Sequence, residues 1–312
     1  VGDTLGPGGV FRGLRTAAAM DPIIADMHEV CPDALIINYA NPMSINCWYT
    51  ADAGIKIVGL CHSVQGTSQM LANRMGLEDG TWTFKCAGIN HQAWFIEFKH
   101  KGENVLPLMR KTMNEFAAKA REQLDSGENT SDELYGGGGE QVRTAIMNIT
   151  GYFQTESSHH ASEYLPYFRR SPEEVESWIP ERWDYYEICR NHDFEALERR
   201  AAELAEQPLE PSHEYGAYII ESMTTNTPRV VYGNVPNTGI ITNLMEGCSV
   251  EVPCLVDAQG IQPTYIGDLP AACAGVNAGS VAVQNCAVKA AQTGDEDMVY
   301  AAVALDKYTG AM

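Results

Sequence analysis

Two side chains that bind transition metals, a thiol and an imidazole, stand at Cys61 and His91 of this sequence. Brought together in a fold, they would suit a divalent ion such as Mn, Fe, Co, Ni or Zn, provided that other coordination positions stay open to a substrate. The alternative is a small buried cysteine behind a strand and a hydrogen-bonded histidine of the core. Spacing alone leaves both interpretations open.

The elements around Cys61 predict where such a site would lie. Cys61 follows the apolar run 55–60 and precedes a helical pattern, so it belongs at the carboxyl end of a strand, where open α/β sheets place their sites. A second apolar run, 34–39, ends just before Asn41, which puts this amide at the same edge, either in the site or as a cap of the next helix. Continuous apolarity in both runs predicts parallel strands covered on both faces.

The fold class predicted from these patterns is α/β. Residues 1–80 read as the second half of a doubly wound, Rossmann-like parallel sheet, with a helix over about 10–30. Residues 81–312 read as a mixed α+β domain for substrate binding and oligomerisation. In this second domain we predict a hairpin over 81–105, helices over 106–124 and 213–223, strands over 229–237, 239–244 and 249–256, and a helix over 270–308.

A dense group of titratable side chains lies between residues 151 and 166. It contains the adjacent His159 and His160, two carboxylates and several tyrosines. This stretch is either part of a site or a solvated loop.

Composition excludes several classes of partner. The chain has 312 residues, of which 45% are hydrophobic, and its 21 basic and 41 acidic residues give a net charge of −20. Such a charge repels phosphate backbones and anionic lipid, so we expect neither nucleic acid nor a membrane as a partner. Nine cysteines without a CxxC pair predict reduced thiols in a cytoplasmic protein.

Several motifs, taken in order along the chain, resemble family 4 glycoside hydrolases, and within that family the α-galactosidase branch. They are 3–9 (DTLGPGG), 38–43 (NYANPM), 59–67 (GLCHSVQGT), 87–91 (AGINH), 155–164 (TESSHHASEY) and 250–253 (VEVP). The resemblance covers essentially the whole chain.

The resemblance implies cleavage of α-galactosides by redox chemistry, with NAD and a divalent metal, normally Mn²⁺, as cofactors. NAD oxidises the sugar C3 hydroxyl, a base then removes the acidified C2 proton, the C1 group is eliminated, water adds, and the hydride returns. It also implies a cytoplasmic homo-oligomer, a dimer or tetramer, that acts on a small melibiose-like substrate. An α-glucosidase or α-glucuronidase of the same chemistry, a catalytically dead assembly subunit and a plain dehydrogenase remain alternatives.

Roles carried over from the family fall on eight residues. They are Cys61 and His91 as metal ligands, His62 as the acid for the leaving oxygen, Tyr164 as the base at C2, Asp3 near the reaction centre, Asn41, Asn90 and His160 as substrate contacts, and Asn41 also beside the cofactor.

The sequence departs from the family at its ends and at one residue. The glycine-rich dinucleotide loop and first βαβ half that precede the Asp3 motif in the family are not in it, nor are the last few dozen residues. We therefore expect it to be part of a longer protein. His159 stands where this branch often has a carboxylate.

Overall fold

A computed structural model describes residues 4–126, 138–179, 194–208, 214–307 and 309. Asp3 lies outside the described residues. The polar, glycine-rich stretch 125–140 and the acidic, aromatic stretch 171–208 are each described only at their two ends.

Helix and strand alternate at the start of the described chain. Three consecutive strands, a helical middle, three more strands and two final helices follow. The helices are α1 (Gly6–Val30), α2 (Met43–Asp52), α3 (Ser63–Arg74), α4 (Leu106–Asp125), a 3-10 turn (Gly138–Glu140), α5 (Gln141–Thr150), α6 (Ser158–Ala161), α7 (Pro172–Trp178), α8 (Phe194–Ala205), α9 (Tyr215–Thr225), α10 (Ala271–Thr293) and α11 (Glu296–Leu305). The strands are β1 (Leu35–Asn38), β2 (Lys56–Gly59), β3 (Trp82–Ile89), β4 (Gln92–His100), β5 (Glu103–Asn104), β6 (Arg229–Pro236), β7 (Ser249–Asp257) and β8 (Gly260–Pro263).

The parallel part of the sheet is the pair β1 and β2, connected through α2. Their register aligns Leu35 with Lys56 and Asn38 with Gly59, so their carboxyl ends meet at one edge. Both predicted strands are confirmed. Gly59 is needed where β2 crosses α2, because a Cβ there would lie 2.4 Å from the sulfur of Met43.

Antiparallel strands complete the same sheet. Its order is β1-β2-β6-β7-β3-β4-β5, with β8 paired to β7. β6 joins β2 at the pair Gly59 and Asn234, so strands from both sides of residue 80 share one sheet. The predicted α/β class is confirmed, and the division at residue 80 stays a prediction.

Buried apolar clusters fix the helices against this sheet. The largest joins α1, α2 and α10 to the strands and includes Val10, Trp48 and Val281. A second packs α3 and α4 on β3 and β4, with Leu71 and Phe98 fully buried. Burial of such side chains from water is the main stabilising contribution to a fold of this size. Among the described helices, none is long and apolar enough to span a membrane.

Two predicted elements are wrong. Residues 239–244 form turns rather than a strand, because the Asn237 side chain donates to Ile241 O (3.0 Å) and accepts from Ile241 N (2.9 Å). The single helix predicted over 270–308 is two helices. Gly294 ends α10 in the left-handed region (φ 71°), and the Asp295 side chain caps α11 by accepting from Asp297 N.

Candidate active site

Cys61 lies just past the carboxyl end of β2, as the sequence predicts. His62 follows it as the N-cap of α3, and the Cys61 thiol donates to Ser63 Oγ at 3.3 Å. Burial raises the pKa of this thiol to about 11, and the nearby Glu156 carboxylate adds to the effect. Without a cation beside it, Cys61 therefore stays protonated at neutral pH.

His91 lies in the tight turn between β3 and β4. With Asn90 it forms the connection between the paired residues Ile89 and Gln92, and its φ of 62° is left-handed. This conformation is unfavourable for a residue other than glycine, and the two-residue turn imposes it here. The His91 side chain is buried, and the turn holds it at the sheet edge that carries Cys61.

Glu156 is the site residue that sequence reasoning missed. Its Oε2 lies 3.5 Å from His91 Nε2 and 3.8 Å from Cys61 Sγ. The ligand atoms of Cys61, His91 and Glu156 all lie within 4.8 Å of one another. Burial alone would raise the pKa of Glu156, but the charges of His91 and His160 outweigh it, so this pKa is lowered and the carboxylate is ionised.

The loop that carries Glu156 is fixed by backbone pairing to β4. Gln154 forms a bridge with Trp94, and Thr155 N donates to Ala93 O at 2.8 Å. The backbone of Glu156 is then left-handed, with a φ of 70°. Two of the three clustered side chains thus leave from left-handed positions.

A second set of contacts supports this loop from behind. Arg143, whose side chain is 1% exposed, pairs with Glu140 and donates to Thr67 Oγ1 at 2.9 Å. Glu140 in turn accepts from Ser158 Oγ at 3.1 Å. The ion pair therefore joins α3 and α5 to the segment that presents Glu156.

Above the cluster lies a cavity of about 260 Å³. Its lining brings together five of the predicted residues with Glu156 and four neighbours: Asn41, Cys61, His62, His91, His160, Glu156, Tyr39, Met43, Leu60 and Ser63. Asn41 serves both interpretations, because it lines the cavity and its Oδ1 accepts from Met43 N at 3.3 Å to cap α2. The His160 ring lies 5.0 Å from that of His91.

Two of the predicted residues that the structure describes, Tyr164 and Asn90, do not line the cavity. Tyr164 is buried, and its hydroxyl donates to Asn90 O at 3.1 Å. Burial raises the pKa of Tyr164 well above its usual value, with Glu163 adding to the effect. Asn90 is buried beside Cys61, and Asp3 lies outside the described residues.

Comparison with protein families matches the chain in two consecutive parts. Residues 1–77 match the model of family 4 glycosyl hydrolases, and residues 86–309 match that of the family 4 glycosyl hydrolase C-terminal domain. The chain belongs to glycosyl hydrolase family 4.

Individual members of family 4 support this assignment over the full length of the chain. An α-galactosidase of Bacillus subtilis (strain 168) is 37% identical over 100% of this chain and 69% of its own length. An α-galactosidase of Rhizobium meliloti (strain 1021) is 35% identical over 100% of this chain and 63% of its own length. The chain thus spans about two thirds of these family 4 relatives.

A solved structure agrees with the fold of this family 4 chain. A 6-phospho-α-glucosidase from gut microorganisms, in complex with NAD and Mn²⁺, superposes with a TM-score of 0.74 at 19% identity, covering 99% of this chain and 70% of that one. At this identity the similarity concerns the fold alone.

Proposed function

We propose that this protein hydrolyses α-galactosides by NAD-dependent oxidation, elimination, addition and reduction, with a divalent metal, Mn²⁺ for preference. The observation that carries the proposal is the convergence of Cys61, His91 and Glu156 on one cavity at the carboxyl ends of β1 and β2. The two α-galactosidase relatives support the substrate class, and the related structure with NAD and Mn²⁺ supports the cofactors.

The residues present fit a divalent metal. The Cys61 thiol and the His91 imidazole offer S and N donors whose ligand atoms lie within 4.8 Å of each other. Cys61 and His91 would hold the ion. The pKa of the Cys61 thiol is raised in this structure, and a bound cation would lower it. The ion would supply a Lewis acid for the neighbouring sugar oxygens.

The part of an NAD site that this chain would contribute is the carboxyl end of β1 and β2. Asn41 and His62 open onto the cavity there, at the edge where doubly wound sheets receive dinucleotides. Bound there, NAD would supply reversible hydride acceptance for the sugar.

Two of the chain's own side chains would move protons. Glu156 is ionised and lines the cavity, so we assign it, in place of Tyr164, as the base that takes the C2 proton once C3 is a ketone. His62 would donate a proton to the leaving oxygen at C1. Asn41 and His160 would bind sugar hydroxyls.

The experiment that tests this function is release of nitrophenol from a nitrophenyl α-galactoside by the natural protein, with NAD and Mn²⁺ each supplied or withheld under reducing conditions. Turnover that needs both cofactors is expected. Turnover that is indifferent to NAD would overturn the mechanism. If the protein hydrolyses α-glucosides or α-glucuronides and not α-galactosides, the proposed substrate is wrong and the mechanism stands.

Isotopic substitution tests the same chemistry step by step. Deuterium at C2 or C3 of the sugar should slow turnover whenever those steps limit the rate, because both C–H bonds break in the proposed cycle. A two-carboxylate glycosidase breaks neither bond and would show no primary effect.

We also propose a cytoplasmic homo-oligomer, a dimer or a tetramer. Scattered cysteines without a pairing pattern support the location. Large exposed apolar side chains, such as those of Ile220 and Tyr300, support the assembly. Light scattering of the natural protein would measure the assembly.

A further inference from the structure

His62 has a carboxylate partner from a distant part of the chain. Its Nε2 hydrogen-bonds Glu214 Oε1, and the two residues are 152 positions apart. Glu214 is the N-cap of α9, whereas His62 is the N-cap of α3. The contact therefore depends on the tertiary fold and not on local sequence.

Tyr39 completes the arrangement from a third element. It follows the end of β1, its ring stacks on that of His62 with centroids 6.0 Å apart and planes at 28°, and its hydroxyl hydrogen-bonds the Glu214 carboxylate. Gly216 N donates to the same hydroxyl at 3.1 Å. One contact lies in the plane of the imidazole and another on its face, so both the tilt and the rotation of the ring are constrained.

Stability alone gives little reason for these contacts. The side chains of His62 and Glu214 are 59% and 44% exposed, and ion pairs in water contribute little to folding because the solvent screens them. An imidazole this exposed would otherwise sample several rotamers. A carboxylate on one ring nitrogen fixes the orientation and the tautomer, which leaves the other nitrogen free for a reacting group.

We propose that Glu214 is a positioning residue which, with Tyr39, orients the His62 imidazole toward the leaving-group oxygen. The proposal rests on the function proposed above, in which His62 protonates that oxygen. Glu214 does not line the cavity, so it acts through His62 and not on the sugar.

The kinetic test compares two leaving groups. A nitrophenolate leaves without much help from an acid, whereas the alkoxide of methyl α-galactoside needs a proton in the transition state. Glu214→Ala should lower kcat for methyl α-galactoside at least about tenfold more than for the nitrophenyl galactoside, with KM nearly unchanged. Glu214→Gln should restore part of the loss, because its amide oxygen still accepts from Nε2.

The matched control is Glu221→Ala. Glu221 lies on the same helix, is 49% exposed and pairs with Arg229 at 2.9 Å, so it reports the cost of losing an exposed ion pair of α9. It should affect both substrates equally and slightly. If Glu214→Ala does the same, or leaves both rates unchanged, the positioning role is wrong.

A second measurement needs no turnover. In protein labelled with ¹⁵N in its histidines, the shifts of Nδ1 and Nε2 report which nitrogen carries the proton, and His62→Ala assigns the His62 signals. The expected result is a neutral ring protonated on Nε2 and a donating form protonated on both nitrogens, so that the transferred proton leaves from Nδ1. In Glu214→Ala the neutral ring should become a mixture of tautomers. An unchanged tautomer would overturn the proposal even if the protein has no galactosidase activity.

The two proposals can therefore fail separately. An active wild type in which His62→Ala shows the leaving-group effect and Glu214→Ala does not would leave the enzyme function standing and remove only the role of Glu214. A wild type inactive on every α-glycoside, with the tautomer still dependent on Glu214, would remove the function and leave the positioning contact.

Discussion

Cys61 is the side chain whose replacement should separate metal binding from folding. A serine hydroxyl is a much poorer ligand than a thiolate for a borderline ion, so Cys61→Ser should weaken Mn²⁺ binding more than tenfold and remove nearly all turnover. Calorimetric titration measures the affinity, and the melting temperature measured without metal should stay close to that of the wild type. Cys286→Ser, at another partly buried cysteine, is the control. Retained Mn²⁺ affinity in Cys61→Ser would contradict the assignment.

Glu156 can be tested as a base separately from any part in metal binding. Glu156→Gln keeps the shape and removes the charge, so turnover should fall by about 10² to 10⁴, the usual contribution of a general base. Exchange of the C2 proton with solvent deuterium should disappear with it. Mn²⁺ affinity should remain within tenfold of the wild type. A parallel loss of metal would show that Glu156 is a ligand instead.

For single residues, the sequence predicts well which side chains lie at the end of a strand. It predicts poorly which distant residues contact them. Cys61 could be placed because an apolar run ends just before it. Glu156 could not, since its position depends on Thr155 pairing with β4 across 62 residues. Its one signal was a carboxylate inside the 155–164 motif. Glu214 carried no local signal at all.

Among the elements, the link between α3, α5 and the loop of Glu156 should be costly to break. Arg143→Met leaves the Glu140 carboxylate, 11% exposed, without its partner, and loss of one member of a buried pair costs about 3–5 kcal/mol. Urea unfolding measures this loss. Arg170→Met, which removes an exposed pair with Glu174, is the control and should leave stability almost unchanged. Equal effects of the two variants would contradict the role of Arg143.

Element boundaries followed the same physical logic. The helix over 106–124 was predicted almost to the residue because its apolar positions repeat at helical spacing and Ser126 ends it. The break at Gly294 went unnoticed because apolar periodicity resumes directly afterwards, although a glycine followed by Asp295 is a recognisable stop and start.

At the scale of the whole molecule, the two ends of the described chain contact each other. The carboxyl-terminal end also contacts the loop behind the cavity. Asp306 accepts from Gly6 N at 3.1 Å, at the start of α1. Lys307 donates to Tyr164 O at 2.9 Å and to Val276 O at 3.0 Å. The carboxyl-terminal residues thus connect α1, α10 and the loop behind the cavity.

This contact predicts a pH dependence of stability. Burial lowers the pKa of Lys307 to about 8 from 10.5, so between these values the unfolded chain binds more protons than the folded one and stability rises with pH. Below pH 8 the buried, charged ammonium thus lowers the free energy of unfolding, and this loss disappears as the pH rises toward 10.5. The free energy of unfolding of the wild type, relative to Lys307→Met, should rise over this interval by about 3 kcal/mol at most. A difference that stays flat in urea titrations at pH 7 and 10 would contradict it.

The shared sheet has a consequence for how metal and folding are linked. Cys61 comes from the region before residue 80, and His91 comes from the region after it. An ion held between them is a crosslink that exists only while β2 and β6 remain paired at Gly59 and Asn234. Each tenfold excess of metal over its dissociation constant then adds about 1.4 kcal/mol against separation of the two regions. Binding of the metal by Cys61 and His91 would therefore stabilise the contact between the two regions as well as support the chemistry.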